Sequence, residues 1–161
     1  MKSSLDLSFK YIIMNKTDVR NELLNHQMMI VADLNKMVQQ LRDSADIDEE
    51  STVKDIDDFA RANEDNEKRQ NLEMTLRQAE NDLELLKNIE IGESDRVSLG
   101  AIVETENKLF YVSIPSTSFE LDGKHFIGIS THAPIYLAMK DKKIGEQFQI
   151  GKYTYKIIAI Y

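Results

Sequence analysis

Acidic side chains are concentrated in one short stretch of the chain, residues 43–58. Half of these sixteen residues are carboxylates, and Lys54 is the one base among them. Two ordinary explanations exist: a solvated polar turn, or carboxylates that stabilise the positive N-terminal end of a helix. A third explanation is that the acids have a function, which would depend on where the fold places them. They are Asp43, Asp46, Asp48, Glu49, Glu50, Asp55, Asp57 and Asp58.

Two long segments with helical spacing flank these acids. Leu24, Val31 and Val38 recur every seven residues in the first segment, as in the narrow apolar seam of a coiled coil. Two such seams joined by a short polar stretch must cover each other. We therefore predict an antiparallel coiled-coil hairpin with helices at 17–42 and 53–88 and a turn at 43–51. The second seam comprises Leu72, Leu76, Ala79, Leu83 and Leu86, continued toward its start by Ile56, Phe59 and Ala62.

The predicted hairpin holds the acids far from any globular body. Helices of this length extend roughly 40 to 54 Å. Thr52 and Asp55 fit a capping box, in which each side chain accepts a hydrogen bond from an otherwise unpaired amide at the start of the second helix. Asp46, Asp48, Glu49 and Glu50 are expected in the turn itself. Upstream, Leu5, Phe9, Ile12 and Ile13 either extend helix 1 backwards or form a separate clasp.

The second half of the chain has a different composition. All six glycines and both prolines lie at or after Gly92, and nine of the twelve aromatic residues follow residue 91. This change predicts a boundary between a hairpin at 1–90 and a small sheet domain at 91–161. The fold class is therefore α+β. Strands are predicted at 96–103, 109–114, 126–130, 147–150 and 153–160, with a short helix at 134–139.

Composition excludes several classes of protein. The chain has no cysteine, so disulfides and thiolate metal sites are absent, and its three histidines are scattered. A net charge of −8 gives no basic footprint for independent DNA binding. No apolar run reaches the roughly 18 residues of a membrane span, which predicts a cytoplasmic protein without membrane contact.

Three motifs of the second half occur in an order known from one family. They are Leu99-Gly100-Ala101-Ile102-Val103, Ile129-Ser130-Thr131-His132-Ala133-Pro134-Ile135 and Lys142-Lys143-Ile144-Gly145-Glu146. From about Thr17 to Tyr161, the chain resembles the Gre transcript-cleavage factors of bacterial RNA polymerase. The resemblance implies an FKBP-like second domain that binds RNA polymerase, with Ser130, Pro134 and Ile135 as its contact residues.

The resemblance extends to the acidic stretch. Thr52 to Phe59 stand where the family has Asp-Leu-Lys-Glu-Asn-Ala-Glu-Tyr, so Asp55 takes the place of the glutamate and Thr52 that of the first aspartate. It implies that the hairpin enters the polymerase secondary channel and meets backtracked RNA indirectly. Mg²⁺ would be held only within the polymerase complex, by Asp48, Glu49 and Asp55, and no stand-alone activity is expected. The residues implied in cleavage are Asp46, Asp48, Glu49, Glu50 and Asp55.

Two other functions remain open. Thr52 in the aspartate position is compatible with a channel occupant that regulates or inhibits the polymerase without cleavage. A coiled-coil adaptor unrelated to polymerase is the other. The methionines of helix 1, Met28, Met29 and Met37, are expected to pack in the seam and on the surface rather than to form a binding stripe.

Overall fold

Two helices of equal length form the first half of the molecule. The structure, a computed structural model, describes residues 14–48 and 56–161. Helix α1 comprises Lys16–Asp48 and helix α2 comprises Ile56–Asn88. They run antiparallel. Gln27 Nε2 donates to the Ala79 carbonyl at 2.9 Å, whereas Arg42 Nη2, about four turns farther along α1, donates to Glu73 Oε1 at 2.8 Å, earlier in α2. The predicted hairpin is confirmed.

The first helix is longer than its sequence pattern indicates. The turn predicted at 43–51 is wrong for residues 43–48, because α1 continues through Asp48. Side chains support this extension: Ser44 Oγ donates to the Gln40 carbonyl and Gln39 Nε2 donates to Asp43 Oδ1, both at 2.8 Å. Since no glycine or proline interrupts the segment, the helix continues although its residues are polar.

The buried seam between the helices is shorter than predicted. Val38, Leu76 and Ala79 are buried, but Ile56 and Phe59 at the start of α2 are largely exposed. The seam predicted to continue through Ile56 and Phe59 is therefore not buried within the described residues. The proposed capping box of Thr52 and Asp55, and the apolar residues before Met14, lie outside the described residues.

The helix 1 methionines are on the surface. Met28, Met29 and Met37 are each more than half exposed, so the expected surface positions are confirmed and the expected packing in the seam is wrong. The heptad positions facing α2 are taken by other residues, including the buried amide of Gln27. A polar side chain with a specific partner at such a position fixes the register of paired helices.

The second half is a six-stranded sheet with one short helix. The strand order is β3-β4-β2-β1-β6-β5, and every neighbouring pair is antiparallel except β2 and β4. The α+β class is thus confirmed. The elements are β1 (Ile102–Thr105), β2 (Leu109–Ser113), β3 (Ser118–Leu121), β4 (Lys124–Ser130), α3 (Pro134–Met139), β5 (Gln147–Ile150) and β6 (Tyr153–Ile160).

Two details of the sheet differ from the prediction. Strand β1 begins at Ile102 rather than at residue 96, because Gly100 has a φ of +86° and turns the chain just before it. The Gly100 amide donates to the Val112 carbonyl at 2.8 Å, which fixes this turn against β2. Strand β3 was not predicted, since its four residues, Ser-Phe-Glu-Leu, form too short an alternation to be recognised.

The sheet has an apolar core on each face. On one face, Tyr136 and Met139 of α3 pack against Val103, Val112 and Ile157. The other face is covered by the base of the hairpin. There, Val19 and Leu23 of α1 and Leu86 of α2 share a core with sheet residues that include Ile102, Tyr111, Phe119 and Phe126. We call this shared core the junction core; through it the sheet holds the base of the hairpin.

Polar contacts reinforce the junction core. Arg20 Nη1 donates to the Ile89 carbonyl at 3.3 Å, and Lys16 Nζ donates to the Gly92 carbonyl at 2.5 Å. The His26 ring meets the Phe119 ring edge to face, with centroids 6.0 Å apart. Since these contacts join α1 to the segment after α2 and to β3, the direction of the hairpin is set by the sheet.

Gly128 on β4 occupies a position with no room for a side chain. A Cβ atom there would lie 2.5 Å from the Ile114 carbonyl oxygen and 2.7 Å from Ser116 Oγ. We expect Gly128→Ala to lower the free energy of unfolding by about 1 to 3 kcal/mol, since the backbone must move to accept the methyl group. Chemical denaturation measures the loss. Gly92→Ala is the matched control, because nothing lies within 4 Å of its Cβ position; equal stability of the two variants would contradict the packing described.

High pH should destabilise the sheet through Tyr111. Burial in the junction core raises the pKa of its phenol to about 12. The folded state therefore keeps a proton that the unfolded state releases above pH 10, so the stabilisation is complete below pH 10 and is lost as pH rises toward 12. We expect Tyr111→Phe to reduce this alkaline loss by up to about 2 kcal/mol, measured by urea denaturation between pH 8 and 11.5. Exposed Tyr153→Phe is the control; an identical pH profile in all three proteins would refute the assignment.

Candidate functional site

The hairpin carries its acids at the end opposite the sheet. Helix α1 has 33 residues, which places Asp48 about 48 Å along the helix from Lys16. Asp46 and Asp48 have helical backbone, so two of the four acids expected in the turn belong to the last turns of α1. Glu49, Glu50 and Asp55 lie outside the described residues. Asp43, one turn before Asp46, is exposed and bonded to Gln39.

One ion pair joins the helices close to this end. Arg42 Nη2 and Nε donate to Glu73 Oε1 at 2.8 and 3.2 Å. These hydrogen bonds hold the pKa of Glu73 below its usual value, with a smaller contribution from the charge of the same guanidinium. Both side chains are partly in solvent, so the pair aligns the helices more than it stabilises them.

The next turns of α2 are polar on all sides. Residues 63–68 are exposed, and Lys68 Nζ lies 3.6 Å from Asp65 Oδ1 and 3.9 Å from Glu64 Oε2. These acids are therefore paired with a base on their own helix.

The acids at the end of the hairpin can be judged as metal ligands by the type of donor atom they offer. Within residues 14–48 and 56–161, no three acidic or histidine side chains are arranged to hold a metal ion. The carboxylates offered by the sequence near the turn are nevertheless the oxygen ligands that Mg²⁺ accepts, and this ion normally takes only one or two of them. The described part of the hairpin alone does not form a complete metal site.

The second candidate site is the loop between β4 and α3. Ser130 ends β4, and its carbonyl accepts the Ala133 amide at 3.1 Å while its Oγ accepts the His132 amide at 3.3 Å. Pro134 occupies the first turn of α3, where its missing amide costs nothing. Pro134 is exposed, whereas Ser130 and Ile135 are half-buried and Ile135 packs against the core beneath α3.

Two exposed apolar side chains at this end of the sheet were missed by the sequence reasoning. Leu137 on α3 and Ile144 in the following loop are both more than half exposed. The helical spacing of α3 could have indicated that Leu137 is exposed. Tyr136 and Met139 are buried on one face of the helix, and Pro134 and Leu137 therefore share the opposite face. Ile144 precedes Gly145, whose φ of +89° closes the loop, and its amide donates to the Ile157 carbonyl.

The fold and these sites define an α+β protein with an acid-ended helical hairpin anchored on a sheet. None of the helices in residues 14–48 and 56–161 is long and apolar enough to cross a membrane. No family model matches the chain, and a search of curated proteins gave no match.

Solved structures resemble the chain at low identity. The GreA factor homolog 1 (Gfh1) protein of Thermus thermophilus has a TM-score of 0.34 and 19% identity, with 89% of this chain and 93% of that chain covered. Gfh1 of Thermus aquaticus has a TM-score of 0.32 and 17% identity, with coverage of 85% and 92%. A third structure, of the transcription factor Gfh1, has a TM-score of 0.32 and 20% identity, with coverage of 89% and 92%. At these TM-scores a structural likeness supports no functional argument, so the function rests on this chain's own residues.

Proposed function

We propose that this chain is a Gre-like accessory factor of bacterial RNA polymerase, acting in the cytoplasm. In this proposal the sheet binds the polymerase, and the hairpin places its acidic end in the secondary channel, where it promotes cleavage of backtracked RNA. The observation that carries the proposal is the combination of an acid-ended hairpin with a sheet that presents the segment from Ser130 to Gly145. The motif resemblance of that segment supports the choice of partner.

The hairpin suits insertion into a narrow channel. Its two paired helices are polar on most of their surface, and Asp48 lies about 33 Å along α1 from His26, which still contacts the sheet through Phe119. The junction core fixes the base of both helices, so a partner that holds the sheet also fixes the direction of the hairpin. Reaching a distant reaction centre with a rigid element keeps the positioned side chains within a small range of geometry.

The sheet offers an exposed apolar surface for the partner. Pro134 and Leu137 share one face of α3, and Ile144 lies in the loop that follows. Ser130 holds the loop in place through its carbonyl and hydroxyl, and Ile135 anchors α3 to the core. In this proposal Pro134, Leu137 and Ile144 contact the polymerase directly, while Ser130 and Ile135 shape the contact surface.

The acids Asp46, Asp48, Glu49, Glu50 and Asp55 are the proposed cleavage residues. Among them, Asp48, Glu49 and Asp55 would present carboxylate oxygens to a Mg²⁺ ion shared with the polymerase. When bound beside a first metal, such an ion helps to activate water and to stabilise the leaving oxygen of a phosphodiester. The chain contacts the backtracked RNA only indirectly, and it has no activity without the polymerase.

A specific residue favours a second candidate function. Thr52 stands in the position of the family's first aspartate, and a hydroxyl is a weaker metal ligand than a carboxylate. A hairpin that fails to complete the metal site would occupy the channel and regulate or inhibit transcription without cleavage. Both functions require binding to RNA polymerase, and they differ only in the chemistry at the hairpin end.

A cleavage assay separates the two functions. The protein is incubated with Mg²⁺ and a backtracked elongation complex made with RNA polymerase from its own organism. Shortened RNA with a new 3′ end supports the leading proposal. Intact RNA together with reduced nucleotide addition supports the non-cleaving factor, and intact RNA with no binding to polymerase contradicts both.

A further inference from the structure

One flank of the hairpin has an open groove between α1 and α2, with a volume of about 500 Å³. Its apolar lining residues are Ile30, Leu34, Met74 and Ala79, and its polar ones are Gln27, Thr75, Gln78 and Asp82. Ile30 is 48% and Met74 68% exposed. Met37, 51% exposed, follows Ile30 by seven residues and so lies on the same face of α1. We call Ile30, Leu34, Met37 and Met74 the side groove.

The rim of the side groove is acidic. Asp33 lies between Ile30 and Met37 on the exposed side of α1, and Asp82 of α2 lines the groove, where its Oδ1 accepts a hydrogen bond from Gln78 at 2.9 Å. Five of the fifteen acids on the two helices, Asp43, Asp46, Asp48, Asp57 and Asp58, belong to the far end of the hairpin. The negative charge at the groove itself comes from Asp33 and Asp82.

We propose that the side groove binds an amphipathic helix of a partner protein, with its apolar stripe flanked by lysine or arginine. Apolar anchors spaced by three, four and seven residues fit a groove between two helices. The stretch from Gln27 to Met37 is about 15 Å long, which matches three turns of helix. Two of the four groove residues are methionines, whose flexible side chains adapt to a partner's shape.

The charge of the chain argues against a second copy as the occupant. Two copies in contact through this groove, each in a chain of net charge −8, would bring the like charges of Asp33 and Asp82 together. A basic flank on the partner turns the same rim into an attraction. The inference goes beyond the proposed function, because it concerns the flank of the hairpin and requires neither the acidic end nor polymerase.

A designed peptide tests the groove directly in the purified full-length chain. The probe is a helix-forming peptide of about 18 residues with leucines on one face and lysines on both flanks. A matched peptide has glutamate in place of every lysine. With methionine methyl groups labelled with ¹³C, NMR should show shifts at Met37 and Met74 on addition of the lysine peptide. The glutamate peptide should bind at least about tenfold more weakly.

The chain contains its own controls. Met28 is 54% exposed but lies about 200° around α1 from Ile30, and Met139 is fully buried under the sheet, so neither signal should move. Ile30→Ser and Met74→Ser should each raise the dissociation constant at least about tenfold, and Met28→Ser should leave it unchanged. Circular dichroism confirms that each variant keeps its helices.

Four results would overturn the inference. They are equal affinity for the lysine and glutamate peptides, shifts at Met28 as large as those at Met37, no shift at millimolar peptide, and sedimentation of the free chain as a dimer that Ile30→Ser dissociates. The last result would assign the side groove to a second copy of the chain.

Discussion

Replacing Asp48, Glu49 and Asp55 together by their amides should abolish stimulated RNA cleavage and leave polymerase binding intact. The amides keep the size of each side chain but remove the negative charge that Mg²⁺ requires of its ligands. Since loss of an outer-shell partner of a metal ligand already costs 10- to 100-fold, we expect a loss of at least about 100-fold. The rate of RNA shortening in a backtracked complex gives the magnitude, and competition with the labelled wild-type chain gives the affinity.

Asp43→Asn is the matched control for these substitutions. Asp43 is exposed on α1 and bonded to Gln39, and it lies more than one turn nearer the sheet than Asp48. Its loss should leave cleavage within about twofold of wild type. Equal losses in Asp43→Asn and in the triple variant would show that general acidity matters rather than these three residues. Cleavage at the wild-type rate in the triple variant would remove the assigned residues from the mechanism.

Leu86→Ala should be among the most destabilising single substitutions in the chain. Leu86 is 0% exposed and lies in the junction core with residues of α1 and of the sheet. Truncating a buried leucine removes its apolar burial and leaves a cavity, which costs about 2 to 5 kcal/mol. For a chain of this size, that loss corresponds to a fall in Tm of roughly 10 °C. Calorimetry measures it.

The adjacent residue supplies the control. Leu85 is 39% exposed on the same helix, so Leu85→Ala should cost less than about 1 kcal/mol. Because the junction core belongs to both halves, signals from the helices and from the tyrosines of the sheet should shift together in Leu86→Ala. A variant in which the helices melt early while the sheet keeps its wild-type midpoint would contradict a shared core.

The hairpin could be predicted because its evidence is local. The heptad spacing of Leu24, Val31 and Val38 defines a helical seam whatever the rest of the fold does. The second helix ends at Asn88 in both the prediction and the structure. The short helix at Pro134–Met139 was likewise predicted from local sequence. A proline at the first helical position, followed by Tyr136 and Met139 on one face, identifies the helix from six residues alone.

The junction core could not be predicted because its evidence is not local. Val19 and Leu23 lie off the heptad seam, and only the sheet in front of them explains why they are buried. The order of the strands is also non-local, and the parallel pairing of β2 with β4 places β3 at an edge that no short pattern identifies. Tertiary contacts of this kind override local preference.

The end of α1 was misjudged for a third reason. Polar and acidic residues favour turns only when they compete with the helical backbone for hydrogen bonds. From Asp43 to Asp48 the chain has no residue that breaks a helix, and the side chains of Gln39 and Ser44 form hydrogen bonds within the helix. The candidate acids Asp46 and Asp48 thus belong to the helix end, and the number of residues left for the turn is smaller than the composition suggested.

Site-directed crosslinking tests the central proposal most directly. The chain has no cysteine, so Asp57→Cys introduces a single thiol at an exposed position in the first turn of helix α2, to which a photoreactive group can be attached. The labelled protein is added to a backtracked complex of its own organism's RNA polymerase and irradiated. A factor whose hairpin enters the secondary channel crosslinks to the extruded RNA 3′ segment, and excess unlabelled protein suppresses the product. A polymerase complex that crosslinks only on its outer surface, or no complex at all, would contradict the account.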